Sequence, residues 1–163
     1  MDGVLSLVLK PIKPRKAMKK ADREIVFMKY VGRCAYCGEV ITIKEMQVDH
    51  IIPKRNFIWH IKNKYKVPEF LKHLTENDID HIDNLFPSCR VCNKWKSTHP
   101  VEQFRKELSE QVKRLNEYSS NYRIAKRYHL VKETDYGIEF YFELKERQEK
   151  LYNDPNQPWN YRK

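Results

Sequence analysis

The chain lacks the features that would place it in a membrane or outside the cell. No hydrophobic stretch approaches the ~20 apolar residues of a membrane span, and the apolar run Val4–Leu9 covers only six residues. This run follows Asp2 rather than a basic segment, so it does not resemble a secretory signal. We therefore predict a cytoplasmic protein with no membrane partner.

Hydrophobic residues are also sparse, at 40% of 163, although an aromatic content of 12% argues against disorder. Basic residues outnumber acidic ones by 32 to 22, for a net charge of +10. Residues 1–100 hold 19 basic and 11 acidic side chains, which is a net +8 of that total. This basic half predicts attraction to polyanions that weakens with salt, while on charge alone a solvated cationic surface stays open.

Cysteine is limited to four residues, and all four fall in two CxxC pairs separated by 51 residues: Cys34 and Cys37, then Cys89 and Cys92. In a reducing compartment such pairs indicate a metal site better than disulfides. Four thiolates form the closed tetrahedral shell of structural zinc, with no position left for water. Two unrelated buried pairs, or redox-active CxxC turns, are the alternatives.

Hydrophobic periodicity and turn residues predict a small α+β protein. Helices are predicted at residues 21–31, 93–97, 101–118 and 122–130, weak helical character at 68–74, and strands at 40–43, 46–52 and 138–144. We divide the chain into a basic arm at 1–20, a core domain at 21–99 with an insert at 54–83, a helical and single-strand subdomain at 100–152, and a tail at 153–163.

The segments between the cysteine pairs carry a family resemblance. Residues 47–53 read QVDHIIP, and residues 83–96 read DNLFPSCRVCNKWK. In order, they give a Val-Asp-His-Ile-x-Pro strand, an Asp-Asn-Leu segment and a Cys-x-x-Cys-Asn-x-x-Lys helix start. Together they resemble the HNH endonuclease family over residues 34–97. The resemblance implies a ββα-metal nuclease core stapled by the four-cysteine zinc site.

The same resemblance implies a role for each motif residue. His50 would be the general base, because an imidazole is largely neutral at pH 7 and can accept a proton. Asp49 and Asn93 would hold a catalytic ion, and Asn84 would orient the histidine loop. Many relatives carry histidine where this chain has Asn93, so oxygen ligands here favour Mg²⁺ or Mn²⁺. A regular strand would point Asp49 away from His50, so a backbone twist is expected there.

DNA is the partner that the resemblance implies. Exposed cations near the motif are expected to contact phosphates, which position DNA without reading its sequence, although solvated side chains are the alternative. The candidates are Lys54, Arg55, Arg90, Lys94 and Lys96. A single core makes one nick, so a homodimer or a partner protein would supply a double-strand break or specificity.

The remaining histidines lack motif support. We interpret His60, His73, His81 and His129 as ordinary surface or partly buried residues, and His99 first as a cap and second as a ligand. Trp59, Tyr65 and Phe70 are expected to pack the insert against the core, and the stripe from Phe104 to Leu115 is expected to be buried. The competing class of protein is a non-catalytic zinc module that binds nucleic acid or protein.

Overall fold

The computed structural model describes residues 18–134 and 137–153. Most of the predicted basic arm at 1–20 and the predicted tail beyond residue 153 lie outside these residues. In chain order, the α-helices and strands are α1 (Lys20–Met28), β1 (Gln47–His50), α2 (Phe57–Asn63), β2 (Leu85–Ser88), α3 (Arg90–Lys96), α4 (Val101–Ser109), α5 (Gln111–Tyr118), α6 (Ser120–Arg127) and α7 (Tyr141–Asn153). None of the helices in the described ranges is long and apolar enough to cross a membrane.

β1 and β2 form a two-stranded antiparallel sheet that leads directly into α3. Asp49 lies opposite Phe86, and His50 lies opposite Leu85. Cys89 is the N-cap of α3, and its Sγ accepts a hydrogen bond from the backbone N–H of Cys92. The small α+β fold with a β-β-α order and a four-cysteine cluster is therefore confirmed.

An aromatic cluster joins the sheet to the C-terminal half of the chain. The Tyr36 ring makes edge contacts, at centroid distances of 5.3 to 6.4 Å, with Phe86, Phe104, Phe140 and Phe142. Such aromatic pairs add about 0.5–1.5 kcal/mol each beyond their buried area. All five rings belong to the same hydrophobic core, so α4 and the start of α7 pack on the residues around the first cysteine pair.

The insert at residues 54–83 contributes to this core. Phe57 in α2 is buried, as are Leu71 in a short 3-10 helix (Glu69–Leu71) and Leu74 just after it. The predicted weak helix at 68–74 is thus a single tight turn. Trp59 and Tyr65 pack mainly on each other, with ring centroids 5.2 Å apart, and both stay about half exposed.

The predicted strand at 138–144 is wrong, because a helix begins at Tyr141. Phe140 and Phe142 are both buried, which produced the alternating pattern, yet Phe140 precedes the helix and Phe142 lies in its first turn. The Glu143 carboxylate accepts a hydrogen bond of 2.9 Å from the Phe140 N–H. This is half of a capping box, the local signal of a helix start.

Two other predicted elements differ from the structure. The helix at 101–118 is interrupted at Glu110, after Ser109 Oγ donates to the carbonyl of Lys106 and competes with the helical pattern. Phe104 is buried, but Val112 and Leu115 are 40% and 41% exposed, so the predicted core stripe covers only α4. Residues 40–43 form one isolated bridge instead of a strand.

Candidate active site and metal centre

The four cysteine sulfurs converge, all within 4.8 Å of one another. The Sγ atoms of Cys37 and Cys89 are 3.8 Å apart. Four sulfurs placed tetrahedrally at ~2.3 Å from zinc lie about 3.8 Å from each other, so the spacing fits that ion. It is far longer than the ~2.05 Å of a disulfide bond. The four-cysteine group can therefore hold a metal ion such as zinc.

Electrostatics also favour a cation between these sulfurs. A hydrogen bond from the Cys92 thiol lowers the pKa of Cys34 to about 4, and burial opposes that shift only in part. The same hydrogen bond, together with burial, raises the pKa of Cys92. One thiolate thus forms readily, and its charge opposes ionisation of the neighbouring thiols. A divalent cation would stabilise the thiolate form of all four cysteines.

Backbone geometry shapes the first cysteine pair. The N–H of Gly38 donates to the carbonyl of Cys34, and the N–H of Cys34 donates to that of Glu39. Gly38 has a φ of +74°, and an added Cβ would lie 2.9 Å from the Tyr141 ring. Glycine is therefore required at this turn both for its left-handed backbone and for the close approach of α7.

Asp49 lies in a buried polar group beneath the sheet. Its carboxylate is 5% exposed, and its Oδ2 accepts a hydrogen bond from the Tyr36 hydroxyl. The Lys96 ammonium, with no exposed surface, lies 2.9 Å from the same Oδ2 and donates to the His50 carbonyl at 2.7 Å. Asp49 Oδ1 makes no hydrogen bond to any described residue. One carboxylate oxygen is therefore available to another cation.

His50 lies on the other side of β1, where it lines a groove of about 710 Å³ together with Val48 and Leu85. Because β1 is regular through His50, Val48 and His50 share this face and Asp49 is directed to the opposite one. The backbone twist expected at Asp49 does not occur within β1.

A carboxylate fixes the His50 ring. His50 Nε2 lies 2.9 Å from Asp80 Oδ1, and the Lys54 ammonium lies 2.5 Å from the same oxygen. Burial opposes ionisation of Asp80, but hydrogen bonds from Lys54 and His50 outweigh it and lower its pKa. Because an ionised carboxylate only accepts hydrogen bonds, Nε2 carries the proton of the neutral ring and Nδ1 holds the free lone pair.

The His50 imidazole is also kept neutral. Its side chain is 17% exposed, and burial lowers its pKa below the usual value, with the Asp80 hydrogen bond opposing that shift only in part. A ring with a lowered pKa is uncharged at pH 7 and can accept a proton. His50 is thus a neutral imidazole that lines the groove and is held by Asp80.

Asn84 ties the loop after β1 to the segment before β2. Its side chain is fully buried; Oδ1 accepts from the Ile52 N–H at 2.8 Å, and Nδ2 donates to the carbonyls of Ile52 and Ile79. The main chain adds a 2.9 Å bond from the Ile51 N–H to the Asn84 carbonyl. These contacts hold the backbone that directly follows His50 and the backbone that directly precedes Asp80.

Asn93 lies in α3, one turn before Lys96. Residues three apart share one face of a helix, so Asn93 lies on the face of α3 that Lys96 uses to reach Asp49. The Asn93 side chain is half-buried and makes no hydrogen bond to the described part of the chain. The Asn93 amide, unpaired within the described residues, is therefore on the face of α3 that contacts Asp49.

The predicted phosphate contacts separate into two groups. Arg55, Arg90 and Lys94 are exposed, and Lys54 is exposed but paired with Asp80. Lys96 differs, because it is fully buried against Asp49 and does not present its ammonium to a ligand at the surface. Its position corrects the expectation of an exposed phosphate contact, since the β-β-α packing encloses the end of α3.

Two residues of this site were missed from the sequence. Asp80 falls in the insert at residues 54–83, and only the chain reversal at residues 78–84 brings it to His50. Tyr36, inside the first CxxC pair, reaches Asp49 because the aromatic cluster orients its ring. No local pattern in the sequence marks either residue.

Comparison with known proteins adds little. No protein-family profile matches the chain, and neither does any curated protein. Among solved structures, the chain resembles the Type II-C Cas9 enzyme from Actinomyces naeslundii at 23% sequence identity and a TM-score of 0.38. That match covers 58% of this chain and 9% of the other. A TM-score of this size does not establish a shared fold.

Proposed function

We propose that the protein is a metal-dependent HNH-type endonuclease that hydrolyses phosphodiester bonds of DNA. The observation that carries the proposal is the hydrogen bond from His50 Nε2–H to Asp80, which leaves the Nδ1 lone pair free on a side chain that lines an open groove. The HNH-like motif residues at 47–53 and 83–96 support it, because they form the β-β-α unit around this base.

In the proposed reaction, Nδ1 of His50 removes a proton from water as the water oxygen bonds to phosphorus. The bond from phosphorus to the 3′-oxygen breaks, and that oxygen takes a proton from solvent. The products carry a 5′-phosphate and a 3′-hydroxyl, as the family resemblance implies. Asp80 stabilises the imidazolium that forms and keeps the ring in one orientation.

Asp49 and Asn93 are proposed to hold a Mg²⁺ or Mn²⁺ ion through Asp49 Oδ1 and the Asn93 amide oxygen. When bound, the ion would neutralise charge on the phosphate and on the departing oxygen. Lys96 holds Asp49 in place, while exposed Arg55 and Lys94 are proposed to contact the DNA backbone. His50 is the last residue of β1, so a phosphate beyond the strand end is the proposed meeting point of base and ion.

The test is cleavage of supercoiled plasmid by the full chain, with Mg²⁺, with Mn²⁺ and with EDTA. We expect metal-dependent nicking, and His50→Ala should lower its rate by roughly 10²–10⁴-fold if general-base catalysis is its whole contribution. His129→Ala, at an exposed histidine outside the groove, is the matched control. A wild type inactive in every divalent metal, or His50→Ala cutting at the wild-type rate, would contradict the proposal.

A second function is favoured by one observation: the Asp49 carboxylate is already neutralised by Lys96 within a buried group. Because Lys96 already balances the charge of Asp49, the buried group needs no catalytic ion, as in a non-catalytic zinc module. Salt-dependent DNA binding without cleavage in any metal would support this function instead. Cleavage that His50→Ala abolishes while DNA binding is retained would exclude it.

A further inference from the structure

A second group of metal-ligand side chains lies within the insert. His73, His81 and Asp83 place an imidazole nitrogen, a second imidazole nitrogen and a carboxylate oxygen within 4.8 Å of one another. All three side chains are partly exposed. None of the three belongs to the four-cysteine cluster or has a role in the proposed nuclease reaction, although His81 also lines the His50 groove.

The separations match a single bound ion. His73 Nε2 lies 3.0 Å from Asp83 Oδ2, and His81 Nδ1 lies 3.6 Å from the same oxygen. Ligand atoms at ~2.0–2.1 Å from a tetrahedral ion lie about 3.3–3.4 Å from each other. The two observed distances lie on either side of that value, so small side-chain rotations suffice to bring the three atoms around one ion.

The ring orientations also suit ligation. His81 Nδ1 accepts a weak hydrogen bond from the Asp83 N–H at 3.3 Å, so this nitrogen carries a lone pair and points toward Asp83. His73 Nε2 faces the Asp83 carboxylate, and on binding an ion its proton would pass to solvent or to Nδ1. The two rings are 6.1 Å apart at 78°, and are therefore not stacked on each other.

Nearby charges set the expected affinity. Asp78 interacts electrostatically with both His73 and His81, which adds negative charge beside the group. Lys29 interacts with Asp83 and opposes a cation. Two imidazoles and one carboxylate, with partial exposure and one nearby ammonium, suit a borderline divalent ion at micromolar affinity rather than the tight binding of a four-thiolate site.

We infer that His73, His81 and Asp83 form a second metal site that takes Zn²⁺ or a similar transition ion through two imidazoles and one carboxylate, with water in the open position. A bound ion joins the turn at His73 to the segment that carries Asp80 and Asn84. Occupancy therefore stabilises the insert next to the His50 groove. The inference does not depend on the proposed nuclease function.

The test is the zinc stoichiometry of the full chain, measured by equilibrium dialysis at micromolar free Zn²⁺. The pH is set about one unit above the usual imidazole pKa, so that the histidines are largely neutral. We expect two equivalents for the wild type and one for His73→Gln/His81→Gln. The affinity for the second zinc ion should fall by more than the ~10–100-fold that is typical when a residue hydrogen-bonded to a metal ligand is replaced. His129→Gln, at an exposed histidine outside the group, should keep both equivalents.

A second measurement locates the ion without relying on variants. Further zinc, added to wild-type protein that already holds one zinc ion at the four cysteines, should shift the imidazole NMR signals of His73 and His81. The signals of His129 should not change. Asn93→Ala should retain the second equivalent, because the inferred site does not use Asn93. A wild type with one equivalent, a second equivalent that survives the double substitution, or unshifted His73 and His81 signals would each overturn the inference.

Discussion

Replacing Lys96 by methionine is a direct test of the buried group beneath the sheet. Methionine approximates the length of the lysine stem but removes the ammonium, which leaves Asp49 nearly buried with Tyr36 alone. The His50 carbonyl also loses its 2.7 Å partner. Burial lowers the pKa of Lys96 and Asp49 opposes that shift, so the carboxylate helps to keep the ammonium charged.

Breaking a buried ion pair by removing one partner costs about 3–5 kcal/mol. The free energy of unfolding of an ordinary domain is about 5–15 kcal/mol. Lys96→Met should therefore remove a large part of the stability of the protein. The corresponding fall in Tm is roughly 6–20 °C for a chain of this length. Urea unfolding of the zinc-loaded protein at constant pH measures the free energy, and thermal unfolding measures Tm.

Two variants control this measurement. Lys94→Met changes an exposed lysine of the same helix and should stay within ~0.5 kcal/mol of the wild type. Asp49→Asn/Lys96→Met removes both charges, and its loss should fall short of the sum of the two single losses by about 0.5–3 kcal/mol. A Lys96→Met protein as stable as Lys94→Met would refute the buried pair, and additive losses in the double variant would refute its coupling.

Three further predictions follow from the site. If His50 is the base, the nicking rate should rise with pH and reach half its plateau below the usual imidazole pKa of 6.5, because burial lowers the His50 pKa. Asp80→Asn removes the carboxylate that raises the His50 pKa, so the pH-rate profile of this variant should have a lower midpoint and a lower plateau. Asn84→Leu leaves the Ile52 N–H without a buried partner, which costs about 1–3 kcal/mol by urea unfolding. Cys37→Ala should release zinc to a chelator that the wild type resists and lower Tm, as zinc analysis and circular dichroism would show.

The cysteine cluster and strand β1 were predictable because each depends on local sequence, whereas β2 was not predicted from the hydrophobic pattern and the β-β-α order was implied only by the family resemblance. A CxxC turn brings two sulfurs together within four residues, and β1 (Gln47–His50) lies within the predicted strand at 46–52. Helix α1 was predicted at residues 21–31 and forms at Lys20–Met28, which is the usual uncertainty at helix ends. These elements needed no knowledge of distant contacts.

The parts that failed depend on contacts between distant residues. The buried alternation of Phe140 and Phe142 has the period of a strand, and only their packing on Tyr36 shows that they flank a helix start. Asp80 reaches His50 across 30 residues, and His73 meets Asp83 across 10. Patterns in a single sequence carry no information on such long-range pairing, so these two pairs were not predicted, although His73 is exposed as expected.

Helix α3 connects the four-cysteine cluster to the proposed active site. Its first residues carry Cys92, its middle carries Asn93, and its last residue, Lys96, pairs with Asp49 and holds the backbone of His50. A helix this short, seven residues, has little stability alone, so it depends on the four-cysteine cluster at one end and on the buried pair at the other. Loss of zinc should therefore free Lys96 as well, and structural and catalytic consequences of zinc removal should appear together rather than at separate chelator concentrations.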